Sequence, residues 1–112
     1  MSNRLGICFV PITGTLEFIL ITGFENRILR LSNEEFGYFI KDCYENMKYK
    51  KVIETNKYRI EDGNVYTYTK HILNNDKKTL GILLEFYKEN QAKISTSSLQ
   101  EEIQNIIKDM GK

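Results

Sequence analysis

The dipeptide Asp62-Gly63 is the feature that most constrains how this chain folds. It lies between two segments of strand-like composition, residues 57–61 and 64–73. A two-residue type I′ turn needs positive φ angles at both of its positions, and Asp-Gly tolerates them well. The dipeptide therefore predicts an antiparallel hairpin. Its predicted register pairs Glu61 with Asn64, Ile60 with Val65, Arg59 with Tyr66, and Lys57 with Tyr68.

This register divides the hairpin into two surfaces, because side chains alternate between the faces of a strand. The first surface, which we call the basic-aromatic surface, contains Lys57, Arg59, Tyr66, Tyr68 and Lys70. The second is the predicted core face and contains Tyr58, Ile60, Val65, Thr67, Thr69 and His71. Three cations at the end of the preceding helix, Lys48, Lys50 and Lys51, either form a solvated helix end, which is the usual role of such a run, or extend the basic-aromatic surface.

Two interpretations of the basic-aromatic surface are open. Cations attract phosphates and tyrosine rings stack on bases, which is the mixture that single-stranded nucleic-acid binding uses. Alternatively, Tyr and Thr serve strand propensity on a solvated face, and the cations make cation–π contacts within the sheet. The chain has 16 Lys and Arg against 15 Asp and Glu, and this balance argues against a generally basic nucleic-acid binder.

The first half of the sequence predicts a three-stranded meander followed by a helix. Strands are predicted at 5–12, 15–22 and 27–31, with turns at Thr13-Gly14 and at 23–26. The segment 15–22 is apolar on both faces except at Glu17, which is typical of a central or helix-covered strand. Ser32 then opens a helix through a capping box with Glu35. The apolar stripe of this helix contains Phe36, Phe39, Ile40, Cys43 and Met47.

The second half predicts further strands and a last helix. Strands are predicted at 52–60, 64–73, 79–88 and 91–95. The third of these places Leu80, Ile82, Leu84 and Phe86 on one face. A second capping box, formed by Ser98 and Glu101, opens the last helix, and Gly111 is its predicted C-cap. The apolar stripe of this helix contains Ile103, Ile106, Ile107 and Met110.

The two predicted helices match at a constant offset, as in Phe36 with Ile103 and Cys43 with Met110. We therefore predict one α+β domain over 1–112, built of antiparallel meander sheets and two helices, with half-repeats at 1–48 and 49–112. Duplication and convergence both produce such a pattern. A meander followed by a helix, twice, resembles in outline the Pur-type and Whirly-type single-strand nucleic-acid-binding folds. No residue motif of those families carries over to this sequence.

The sequence lacks the motifs of common catalytic and metal sites, such as Cys-x-x-Cys, His-Glu-x-x-His or a glycine-rich phosphate loop. His71, the single histidine, is expected to be a half-buried structural residue. Cys8 and Cys43 are expected to be free, buried thiols in a reducing cytosol. The acidic pairs Glu34-Glu35 and Glu101-Glu102 lie where a helix N-terminus favours them. We therefore predict neither enzymatic activity nor a bound cofactor or metal.

These observations predict a small cytoplasmic regulator or inhibitor that binds a protein partner through a sheet edge or through the basic-aromatic surface. The alternative is a single-stranded nucleic-acid-binding domain that uses the same surface. A homodimer formed through a sheet edge fits both hypotheses, because an open meander leaves an edge strand to be covered. No apolar run is long enough to span a bilayer, so no membrane partner is expected.

Overall fold

The structure is a computed structural model, and it describes residues 4–22, 25–68, 70–92 and 99–111. Within these ranges, two antiparallel sheets and three helices confirm the predicted α+β class. The first sheet contains β1 (Arg4–Val10), β2 (Thr15–Thr22) and β3 (Glu25–Ser32). The second contains β4 (Ile53–Glu54), β5 (Arg59–Glu61), β6 (Asn64–Thr67) and β7 (Lys70–Asn74). The helices are α1 (Asn33–Tyr49), α2 (Lys77–Glu89) and α3 (Gln100–Met110).

The first sheet is the predicted meander, with strand order β1-β2-β3 and β2 in the centre. Gly14 turns the chain between β1 and β2 with a φ of 65°, a conformation that glycine adopts without steric cost. The predicted turn at 23–26 includes residues 23 and 24, which lie outside the described residues. The inner face of the sheet is fully apolar in its centre. Its buried residues are Leu16, Phe18, Leu20, Leu29 and Leu31.

Helix α1 packs on this inner face, as its sequence predicts. Glu35 N–H donates to Ser32 Oγ at 3.2 Å, and Ser32 N–H donates to Glu35 Oε1 at 2.8 Å, which confirms the capping box. The ring of Phe18 lies 5.4 Å from that of Phe36 and 5.3 Å from that of Phe39. The rest of the predicted stripe is confirmed too: Ile40 and Cys43 are buried and Met47 is half-buried.

The hairpin at Asp62-Gly63 is confirmed, and both residues have the positive φ angles that the turn needs, 51° and 75°. Three predicted pairs form: Glu61 with Asn64, Ile60 with Val65, and Arg59 with Tyr66. The flanking strands are shorter than predicted. The fourth predicted pair, Lys57 with Tyr68, is not part of the register, because both residues lie outside β5 and β6.

Two segments predicted as single strands each fold back on themselves. The predicted strand at 52–60 is wrong, since a turn at Thr55, whose N–H donates to the carbonyl of Tyr58 at 2.9 Å, separates β4 from β5. The predicted strand at 64–73 is wrong as well. The chain reverses after β6 at Tyr68, which has a φ of 55°, and returns as β7. The second sheet therefore has the strand order β4-β5-β6-β7.

The prediction of a strand at 79–88 is wrong, because this segment lies in helix α2. The apolar residues of this segment fit both an alternating spacing and a helical spacing, and the segment folds according to the helical one. Asp76 caps the helix and accepts a hydrogen bond from Thr79 N–H at 2.8 Å. Ile82, which the alternating pattern places with the core, is 38% exposed. The buried residues instead follow the helical spacing of Leu80, Leu83, Leu84 and Tyr87.

Helix α3 confirms the last predicted helix. Ile103 and Ile106 are buried, Ile107 and Met110 are half-buried, and Gly111 is the C-cap. Residues 93–98, which include Ser98 of the second predicted capping box and part of the predicted strand at 91–95, lie outside the described residues.

The alternation of strands and helix is thus confirmed, but α2 directly follows the second sheet, and α3 packs against α1. None of the helices in the described ranges is both long and apolar enough to cross a membrane.

Candidate functional site

The structure divides the basic-aromatic surface instead of bringing it together. Arg59 and Tyr66 pair across β5 and β6 and share one face of the second sheet. Lys70 pairs with Thr67, whose register position is on the opposite side of the sheet from Tyr66. Tyr68 lies at the β6–β7 turn, and Lys57 precedes β5.

The cations of this surface also have acidic neighbours. Within the described residues, four of them form ion pairs: Arg59 with Glu61 at 2.6 Å, Lys57 with Glu35 at 2.8 Å, Lys48 with Asp109 at 3.0 Å, and Lys51 with Glu45 at 3.4 Å. Lys50 Nζ donates to the carbonyl of Met47 at 3.3 Å. A phosphate would have to compete with carboxylates for most of these groups.

The outer face of the second sheet is polar, and its side chains contact one another. Glu54 pairs with Arg59 in the β4–β5 register, so two carboxylates, Glu54 and Glu61, accompany one guanidinium there. The Tyr66 and His71 rings make an edge-to-face contact at a centroid distance of 5.7 Å. His71 Nε2 lies 3.2 Å from Asn64 Oδ1 and 3.1 Å from Asn74 Oδ1.

The position of His71 corrects its prediction. The residue is half-buried, as expected, but it lies with Tyr66 and not with Val65 on the core face. The reason is the reversal of the chain at Tyr68: Thr67 pairs with Lys70 and Tyr66 pairs with His71, so His71 returns opposite Tyr66 and shares its side of the sheet. A bulge follows His71, since Val65 pairs with Leu73 and leaves Ile72 as the extra residue, and it shifts the side-chain alternation only beyond His71.

The outer face of the first sheet, in contrast, is apolar and was not singled out in the sequence. Its central row is Gly6, Ile19 and Ile28, which are register partners across the three strands. Ile21 and Ile28 are 44% and 43% exposed. No element in the described ranges covers this face, because α1 packs on the other side. We define the outer apolar face as Gly6, Cys8, Ile19, Ile21 and Ile28.

Cys8 is exposed on this face, so the prediction that it is buried is wrong. It pairs with Glu17, and Phe9 beside it points to the core side with Ile7. The prediction for Cys43 is confirmed, since this thiol is free and buried, and burial raises its pKa far above the ordinary value. The ion pair between Arg30 and Glu17, at 3.0 Å, borders the outer apolar face.

A groove of about 390 Å³ extends the outer apolar face toward the second sheet. Ile28 and Arg30 line it from β3. On the other side it is lined by Thr67 of β6, by Tyr68 in the turn that follows, and by Lys57, which precedes β5. The Tyr68 side chain is 89% exposed. Its left-handed backbone is uncommon for a bulky residue and costs about 1 kcal/mol or more. The fold thus holds a large aromatic side chain in solvent beside an apolar sheet.

Helix α1 fixes the second-sheet side of the groove through two contacts. The Tyr58 hydroxyl donates to Asp42 Oδ2 at 2.6 Å. Burial raises the pKa of Asp42, although this hydrogen bond acts in the opposite direction, and burial followed by the same bond raises the pKa of Tyr58. Partial burial acts to raise the pKa of Glu35, but hydrogen bonds from Lys57 and Ser32 outweigh it, so the pKa is lowered. These contacts hold the segment that carries Lys57 against α1.

The described part of the chain contains no cluster of three or more His, Cys, Asp or Glu side chains that could hold a metal ion. No protein-family model, no curated protein and no solved structure matches the chain.

Proposed function

We propose that this chain is a non-enzymatic regulator or inhibitor that binds a protein partner on the outer apolar face and at Tyr68. The observation that carries the proposal is the exposure of Ile21 and Ile28 on a sheet whose other face is already buried. Contiguous exposed apolar surface marks interaction sites in soluble proteins, because removing it from water is favourable. An exposed free thiol at Cys8 suits a reducing compartment, so we place the protein in the cytoplasm.

The groove supports a partner of a particular chemistry. Its walls combine Ile28 with Lys57 and the exposed Tyr68. Tyrosines at the centre of an interface often contribute a large share of the binding energy. Arg30 and Lys57 add positive charge on the rim. The fitting partner therefore presents apolar side chains flanked by carboxylates, which would exchange with Glu17 and Glu35 as ion-pair partners.

The partner can be identified and the face tested with the native thiol. A photoactivatable maleimide placed on Cys8, which is exposed while Cys43 is buried, crosslinks whatever occupies the outer apolar face in the native host. The affinity of the purified partner is then measured for Ile28→Lys. We expect a loss of at least about tenfold, which corresponds to about 1.4 kcal/mol.

The matched control is Val52→Lys, which places the same charge on a β-branched residue that is 56% exposed outside the outer apolar face. This variant should bind as the unmodified chain does. Equal losses for both variants, or no loss for Ile28→Lys, would remove the outer apolar face from the proposal.

The second candidate function is single-stranded nucleic-acid binding, which the groove favours in one respect. It places the exposed Tyr68 ring beside two cations, Arg30 and Lys57, and this arrangement could stack a base and contact a phosphate. Anisotropy of labelled single-stranded DNA and RNA at two salt concentrations tests it. Binding that weakens with salt and disappears in Tyr68→Ala and Lys57→Glu would support this candidate. No binding at low salt would exclude it.

A further inference from the structure

The first sheet ends in an open edge strand within the described residues. Strand β1 pairs with β2 on one side, and no strand pairs with its other side. From Leu5 to Val10 the strand contains no charge and no proline, and its register with β2 runs without a bulge. Proteins usually protect an exposed edge with charged residues, prolines or bulges, because a regular apolar edge accepts further strands. This edge is therefore competent to pair with another chain.

A groove of about 300 Å³ lies directly beside this edge, between β1 and α2. Leu5 and Ile7 line it from the strand, and Ile82 and Phe86 line it from the helix. Phe86 is held in place by an edge-to-face contact with Phe36, at a centroid distance of 5.8 Å. A strand added to β1 would point every second side chain into this groove.

The rim of the groove is acidic. Glu85 and Glu89 line it from α2. Lys88 lies 3.6 Å from Glu85, but this ion pair is solvent-exposed and therefore weak. Basic side chains at the ends of an added strand would meet complementary charge here.

We propose that the β1 edge binds an extended segment of a partner protein by strand addition, with alternate apolar residues in the β1–α2 groove and Lys or Arg facing Glu85 and Glu89. Backbone hydrogen bonds supply the affinity in this mode, and the groove selects the side chains. The proposal rests on protein binding as the function, but it uses a surface separate from the outer apolar face.

A second copy of this chain would fit the β1 edge less well than a basic extended segment, because of its charge. If two β1 strands paired about a twofold axis, both α2 helices would lie on the same side of the joined sheet, next to the new contact. The acidic rims formed by Glu85 and Glu89 would then approach each other. A basic extended segment avoids this repulsion and satisfies the same edge.

Selection from a randomised library of displayed peptides of about nine residues, the length of a long strand, tests the proposal. The full chain is the target, and Ile82→Glu, a change at a solvent-accessible position, serves for counter-selection. We expect enriched peptides that alternate apolar residues and carry Lys or Arg. A selected peptide should bind Ile82→Glu and Glu85→Lys/Glu89→Lys at least about tenfold more weakly. The control Glu101→Lys, on α3, should bind it normally.

Backbone pairing is tested with N-methylated versions of the selected peptide. Methylation of one alternate set of amides should abolish binding and methylation of the other set should not, because only one edge of the peptide faces β1. Several results would overturn the proposal: no enrichment over Ile82→Glu, an acidic consensus, equal effects of both methylation sets, or a dimer in sedimentation that Ile82→Glu dissociates. Ile28→Lys should leave peptide binding unchanged, so failure here is distinguishable from failure of the outer apolar face.

Discussion

The outer faces of the two sheets have opposite character. On the second sheet, Arg59 is paired with Glu61, and Tyr66 and His71 contact each other. On the first sheet, Ile21 and Ile28 stand in solvent with no described element over them. The second face has the residues that usually suggest function, and the first has residues that usually suggest a core.

Residue type alone does not reveal where binding energy is available. A charged or aromatic side chain that already has partners gains little from a new one, since the old contacts must be broken first. An exposed isoleucine gains when any apolar surface covers it, by about 25 cal/mol for each Å² removed from water. The less conspicuous face is therefore the better candidate for binding.

The largest expected effect is a difference in unfolding free energy between substitutions at two neighbouring residues of β3. Leu29→Ala should cost about 2–5 kcal/mol of unfolding free energy, because Leu29 is buried on the inner face. Ile28→Ala should cost less than about 1 kcal/mol, because Ile28 faces solvent. Urea denaturation of both variants measures the difference. A cost for Ile28→Ala as large as that for Leu29→Ala would mean that the outer apolar face is covered.

A substitution at Tyr68 should have opposite effects on stability and on partner binding, and its effect on stability should be smaller than that of Leu29→Ala. Tyr68→Asn should raise the unfolding free energy by about 1 kcal/mol, because Asn tolerates the left-handed backbone better than Tyr does. The same variant should bind the partner at least about tenfold more weakly. Thermal denaturation and partner titration measure the two effects.

Tyr49→Ala is the control for the loss of an exposed aromatic ring, and it should leave partner binding intact. If Tyr68→Asn destabilises the fold and leaves affinity unchanged, Tyr68 is a structural residue.

Acid should weaken the contact that holds Lys57 beside the groove. The lowered pKa of Glu35 means that its carboxylate stabilises the fold fully above the ordinary Glu pKa, about 4.3, and that this contribution is lost as the pH falls through the lowered value. Glu35→Gln should therefore cost about 0.5–1 kcal/mol at neutral pH, with allowance for the exposure of the pair, and almost nothing at strongly acid pH. Urea denaturation across this pH range measures the difference, and a constant cost would contradict the assignment.

The smallest expected effect lies on the second sheet. Arg59→Ala should cost less than about 0.5 kcal/mol, and salt should reduce that cost further, because its ion pair with Glu61 is exposed. Partner affinity should be unchanged. A loss of partner affinity comparable to that of Ile28→Lys would reverse the comparison between the two faces.

The parts of the fold that local chemistry determines could be predicted from the sequence. The Asp62-Gly63 turn and the Ser32 capping box each specify a structure through a few adjacent atoms, and both form. The segment 79–88 carries alternating and helical apolar periods together, and only the cap at Asp76 distinguishes them. The turn at Tyr68 has no sequence signal, since a bulky residue seldom adopts its backbone.

The candidate site was harder to predict because it consists of apolar residues that no described element covers. The apolar character of both faces of β2 is visible in the sequence, and it suggested either a central strand or one covered by a helix. Whether a helix covers both faces is decided by long-range packing. In the described structure α1 takes one face, and Ile19 and Ile21 remain on the other.

The most direct test of binding on the outer apolar face is the alkylation rate of Cys8 with and without saturating partner. Cys8 lies on the outer apolar face, and Cys43 is buried and should not react. A second thiol for comparison comes from Tyr66→Cys combined with Cys8→Ser, which reports on the second sheet. We expect the partner to slow alkylation of Cys8 at least about tenfold and to leave the thiol at position 66 unaffected. Protection at position 66 with none at Cys8 would contradict binding on the outer apolar face.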